Sequence, residues 1–154
     1  MSKLLDLPVG TFLRIPLDDG SFGYGRVVND HCMAFYHHRT TEPSSDLDVI
    51  ESRPVIFKQS VRLFDTDSWV TLGVRPLQGE VAQPMVAFRQ RLGDYRYCII
   101  WDSTKGSRRA TPEECIGLER ASVWDAPHIQ ERLLDTFMGR PNPIEVRARV
   151  VFED

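Results

Sequence analysis

No apolar run in this chain approaches the roughly 20 residues that cross a bilayer as a helix, so a transmembrane helix is not expected. Cysteine is scarce. Cys32, Cys98 and Cys115 are odd in number and form no Cys-x-x-Cys pair, which leaves no disulfide framework and fits small, buried, reduced thiols. Charge of one sign is scarce too: 19 basic against 22 acidic side chains give a formal net charge of −3. That imbalance is too mild to argue for nucleic acid or a membrane surface as a partner. The start, Met1-Ser2-Lys3-Leu4-Leu5-Asp6, brings an acid and then a proline where a signal peptide needs its apolar stretch. A cytoplasmic protein is therefore expected. Internal repeats and low-complexity tracts are missing as well.

What is present is an ordinary globular composition, 42% apolar and 27% charged over 154 residues. That length is expected to form a single domain over 1–154, with a lead-in at 1–9 and a core from about 10 to 153. Thr11 to Leu17 alternates, Asp18-Asp19-Gly20 supplies a tight turn, Phe22 to Val28 runs back, and Asn29-Asp30 turns into His31 to His37. This is a three-stranded meander. Gly23 and Gly25 share one face of its middle strand, which implies a coiled sheet or a group packed close against the backbone.

After a polar connection at Thr40 to Arg53, Val55, Phe57, Val61 and Leu63 mark a strand, and Val70, Leu72 and Val74 mark another with these residues inward. Asp65-Thr66-Asp67 reads as the hairpin loop between them. Met85 to Gln90 and Tyr95 to Trp101 follow as strands around a Gly93-Asp94 turn, the second apolar enough to be central. Thr111-Pro112-Glu113-Glu114 has the makings of a capping box and a short helix. A longer helix starts at Asp125, with Trp124 and Ile129 at staple spacing. Ile129, Leu133, Leu134 and Phe137 form its buried stripe, with His128, Arg132 and Asp135 on or near the other face. Gly139 and Pro141 stop it, and Glu145 to Phe152 alternates as a last strand. The expected class is α+β with β dominant: a single strongly curved antiparallel sheet or partly open barrel, with a C-terminal helix packed on it.

Chemistry-bearing patterns are thin. Gly20 to Gly25 has the wrong spacing for a phosphate loop, and no Lys-Ser/Thr follows. His37 and His38 are adjacent and would point to opposite faces of a strand, and the i+4 neighbour of His128 is Arg132, so no metal site is read. No Gly-x-Ser-x-Gly elbow occurs, and Glu113 and Glu114 would oppose a thiolate at Cys115. Neither a cofactor nor a catalytic group is expected. Charge is nevertheless segregated: Glu42 to Asp67 holds six acids and three bases, Val86 to Arg109 six bases and two acids. The plain reading is two solvated surfaces; the sharper one is a docking face, where complementary charge speeds encounter.

Gly10-Thr11-Phe12-Leu13-Arg14-Ile15-Pro16-Leu17-Asp18-Asp19-Gly20, continuing through Phe22-Gly23-Tyr24-Gly25-Arg26-Val27, resembles the opening of the immunity protein 26 family of bacterial polymorphic toxin systems. Thr111 to Glu119, then Val123-Trp124-Asp125, His128 and Glu131-Arg132-Leu133, also looks like that family, so the resemblance runs from about Gly10 to Asn142. It implies a small non-enzymatic protein that binds a cognate toxin and blocks it, and it carries no residue roles. An interface of usual size would bury about 800 Å² on this side, anchored by aromatics and arginine. The candidates for it are Asp18, Asp19, Tyr24, Arg26, Tyr36, Asp46 and Asp48. Two rival readings stand beside this one. The first is a nucleic-acid-binding small β-barrel using the basic segment 89–109, with Tyr95 and Tyr97 to stack bases unless their shared face is core. The second is a small hydrolase or ligand-binding protein with a pocket closed by the Gly23 and Gly25 strand.

Overall fold

The computed structural model describes residues 2–29 and 31–154, so the expected turn at Asp30 lies outside the described residues. The elements are β1 (Thr11–Pro16), β2 (Phe22–Asn29), β3 (Cys32–Tyr36), α1 (Leu47–Glu51), β4 (Val55–Arg62), β5 (Val70–Val74), β6 (Val86–Arg91), β7 (Asp94–Asp102), β8 (Gly106–Ala110), β9 (Glu119–Arg120), β10 (Val123–Asp125), α2 (Ala126–Phe137) and α3 (Pro143–Ala148). They form two compact units: residues 1–82 with 123–142, and residues 83–122 with 143–154. β dominates, as expected. The sheet, however, is not single. One has the order β10-β4-β3-β2-β1-β5 and the other β8-β7-β6-β9, and neither closes into a barrel. Each also takes one parallel edge, β10 on β4 and β9 on β6, so both are mixed rather than antiparallel. Parallel pairing needs a long crossover, and local alternation does not announce it.

In the first unit the β1–β3 meander forms as the alternation predicts. Phe12 faces Arg26 and Ile15 faces Gly23 across β1 and β2, and Gly20 takes φ +83° in the turn. The lead-in is tied down: Leu4 bridges Phe64, and the Leu5 amide donates to the Leu63 carbonyl at 2.8 Å. Both faces of this sheet are covered. Phe12, Tyr24, Ala34 and Tyr36 pack with Ile50 of α1 and Val81 of a short 3-10 turn at Gly79–Ala82. On the other face α2 brings Ile129 and Leu133, both fully buried. A Cβ at Gly23 would stand 3.2 Å from the Leu133 side chain, and one at Gly25 would stand 3.0 Å from Met33 and from the Phe35 ring. The two glycines make room for packed side chains, not for a ligand.

Three expectations fail in this unit. Asp65-Thr66-Asp67 is no hairpin loop, because β4 and β5 are separated by three strands in the sheet. Val70 and Val74 of β5 are exposed and only Leu72 joins the core, since a register shift against β1 between Phe12 and Leu13 breaks the strict alternation. Arg132 is buried on α2, its guanidinium 3.7 Å over the Phe57 ring and 5.1 Å from that of Trp124. A helix held flat against aromatic side chains can bury a guanidinium over them by cation–π attraction.

In the second unit β7 is interior, as its apolar run predicts. Phe88, Cys98, Ile100, Ala110 and Cys115 form the core on one side of the sheet. The capping box at Thr111 and Glu114 is present, the Thr111 amide donating to the Glu114 carboxylate at 3.1 Å, but it opens a single 3-10 turn. The expected last strand at Glu145 to Phe152 is instead helix α3 over its first half. Pro143 begins it, where a missing donor is not needed, and Arg149 clasps Glu145 one turn back at 2.8 Å and 3.0 Å. Among the described residues no helix is long and apolar enough to cross a membrane.

Candidate functional site

Three of the seven surface candidates lie inside the first unit. Tyr24, Arg26 and Tyr36 are buried beneath α1, because the sheet face that carries them is covered. The Arg26 guanidinium lies 4.2 Å from the Phe12 ring centre, and one of its nitrogens donates to the carbonyls of both Arg75 and Pro76 at 2.9 Å. Glu51 of α1 stands 3.7 Å away as its ionic partner. The Tyr24 hydroxyl pairs with that of Thr40 at 2.6 Å and accepts the Ser44 amide at 3.1 Å. Burial pushes the Tyr36 phenol above its usual value, against the opposing pull of Arg26. These groups brace the loops around α1 and present nothing to a partner.

The four aspartates are exposed, but most are occupied. Asp19 takes the Ser21 amide and hydroxyl on one oxygen and Arg39 on the other at 2.7 Å, which lowers its carboxyl to about 2. Asp46 caps α1 by accepting the Val49 amide at 3.2 Å. Asp48 is bound by Arg75 at 2.9 Å although its side chain is 86% exposed. The Arg75 guanidinium also reaches Glu51 at 3.4 Å. Asp18 has no such partner among the described residues. The structure thus brings Asp46 and Asp48 over the face that holds Tyr24, Arg26 and Tyr36, while Asp18 and Asp19 sit at the β1–β2 turn.

The basic segment of the second unit is arranged differently. With Phe88, Cys98 and Ile100 facing the core, the alternate residues Arg89, Tyr97, Ile99, Trp101 and Arg109 share the opposite face of β6, β7 and β8. Ile99 lies between Arg89 and Arg109 in one cross-strand row. Tyr97 is flanked by two cations: the Arg91 guanidinium is 3.7 Å from its ring centre and that of Arg109 is 3.8 Å. Because β6 and β8 lie on either side of β7, those two groups cover opposite faces of the ring. Tyr97 lies on the face opposite that core, half-buried between exposed arginines, as its alternation with Cys98 and Ile100 implies, although Ala87 at one end of the same face is buried.

Two further features of the second unit bear on the rival readings. A groove of about 540 Å³ is lined by Ile116, Leu118, Arg120, Glu145, Arg149 and Phe152, among others. Its cations are engaged: Arg120 donates to the Ala148 carbonyl at 2.9 Å and Arg149 holds Glu145. The Cys115 thiol, buried and close to Cys98 and Glu114, is pushed up to about 11. A thiol held so far above neutrality is a poor nucleophile. Among the described residues no group of three His, Cys, Asp or Glu side chains is placed to hold a metal ion.

A family model described as Immunity protein 26 matches residues 8–99, more than half of the chain. The match takes in the β1–β2 motif and ends within β7, so the second stretch of resemblance, from Thr111 to Leu133, falls outside it. No curated protein and no solved structure matches.

Proposed function

From the premise that this chain belongs to the immunity protein 26 family, we propose that it binds a cognate bacterial toxin and neutralises it through a protein–protein interface, without chemistry of its own. The family match over residues 8–99 is the observation that carries this reading. The uneven charge along the chain, acidic over residues 42–67 and basic over 86–109, supports it, since opposed fields on two partners accelerate encounter and fix orientation. The partner is a toxin domain, a protein, and the compartment where the two meet is the cytoplasm of the producing cell.

Co-expression with the toxin encoded beside this gene is the test. Restored growth, together with a complex that survives gel filtration, is the expected result. Full toxicity in the presence of abundant folded protein, for every toxin encoded nearby, would overturn the reading.

A further inference from the structure

We infer that the toxin docks on the Tyr97 face of β6, β7 and β8, where the exposed arginines lie, and that its matching surface carries carboxylates that engage Arg91 and Arg109. This rests on the neutralisation reading and names the surface that would perform it.

Most arginines of the chain with a carboxylate in reach lie elsewhere. Arg26, Arg39, Arg62, Arg75, Arg108, Arg140 and Arg149 each hold a carboxylate of this chain within 4 Å. Arg89, Arg91 and Arg109 have none among the described residues, and all three are exposed. The acids nearest this face are Asp94, directly across from Arg91, and Glu119, opposite Ala87 on the edge strand β9. Three cations with no carboxylate within 4 Å among the described residues, against the two acids Asp94 and Glu119, leave a net positive field that a carboxylate-bearing surface would complement.

Stacking on Tyr97 restrains two guanidiniums that would otherwise lose rotamer freedom on binding, and stacking through the ring face keeps their in-plane N–H edges geometrically available. Such edges suit bidentate carboxylates. Two acids on one face of a strand, roughly 7 Å apart at i and i+2, match guanidiniums held on the two sides of one ring. Ile99 and Trp101, half-buried beside them, supply the apolar ground that an interface core needs.

The same sandwich counts against a nucleic-acid strand. Base stacking needs an uncovered aromatic face, and both faces of Tyr97 are taken. An acidic protein surface is the occupant that the geometry favours.

The experiment measures binding of the neighbouring toxin domain to the intact chain, to an R91E/R109E variant and to R91K/R109K. Circular dichroism and thermal melting confirm the fold of each. Charge reversal should weaken binding by about 100-fold or more, and the lysine variant, which keeps charge but loses the planar fork, by about 5- to 20-fold. Unchanged affinity in R91E/R109E, with tight binding by the wild-type chain, overturns this inference and leaves the neutralisation reading standing. No binding by the wild-type chain removes both. Salt-sensitive capture of oligodeoxythymidylate by the wild-type chain, lost in R91E/R109E while toxin binding is kept, would assign the face to nucleic acid and overturn the inference.

Discussion

Arg26 holds Arg75 by its main chain: a buried guanidinium nitrogen of the first meets the carbonyl oxygen of the second at 2.9 Å. The Arg75 side chain then grips Asp48 and Glu51 of α1. A strand residue thereby fixes a loop, and the loop fixes a helix only five residues long that could not persist alone. Replacing Arg26 with methionine leaves the carbonyls of Arg75 and Pro76 without this donor. The expected cost is about 2–4 kcal/mol in urea denaturation. Unaltered stability would show that the strut is dispensable.

Gly25 is a packing position. A methyl group there would enter the space of the Phe35 ring at 3.0 Å, and that ring is already pinned against Phe57 and Trp69. Gly25→Ala is expected to lose about 1–3 kcal/mol through overpacking. Chemical denaturation monitored by tryptophan fluorescence checks it.

Acid sensitivity should arise at the β1–β2 turn. The Asp19 carboxyl falls from 3.8 to about 2 in the fold because Ser21 and Arg39 bind its ionised form. Its contribution to stability is complete above pH 3.8 and is lost as pH falls through about 2. Asp19→Asn should therefore melt lower than the wild-type chain at neutral pH, with the difference shrinking across that acid window. A difference that stays constant with pH would exclude the linkage.

Thiol chemistry gives a fourth test. All three cysteines are buried, and burial also pushes the Cys32 thiol up to about 11. Alkylation by iodoacetamide at neutral pH should be slow in the native chain and rapid in denaturant. Rapid labelling of one cysteine in the folded state would reveal a reactive thiol.

Elements whose pattern is local were legible. The Asp18-Asp19-Gly20 turn, the apolar run of β7, and the α2 boundaries from Trp124 to Gly139 all follow from side chains within a few residues of one another. What escaped depends on distant partners or on water. β8 reads Gly-Ser-Arg-Arg-Ala, and as an exposed edge strand it shows no apolar alternation. α1 lies within a polar connection and buries one residue, Ile50. Over six residues the alternation of Val146 and Ala148 fits helix or strand equally, and Pro143 with the Glu145–Arg149 pair decided for helix. The site behaved likewise. Tyr24, Arg26 and Tyr36 have the composition of interface anchors, but a sheet covered on both faces turns such residues inward. The Arg91–Tyr97–Arg109 sandwich needed three strands in register, which no single stretch encodes.

The segment 123–142 returns to complete the first sheet with β10 and to roof it with α2. A trimmed polypeptide ending at residue 99, where the family match stops, would lack that roof. Leu13, Ile15, Val27, Met33 and Phe35 would then stand bare as a sticky slab, and β4 would offer a naked rim to any passing strand. Such a fragment should precipitate rather than protect.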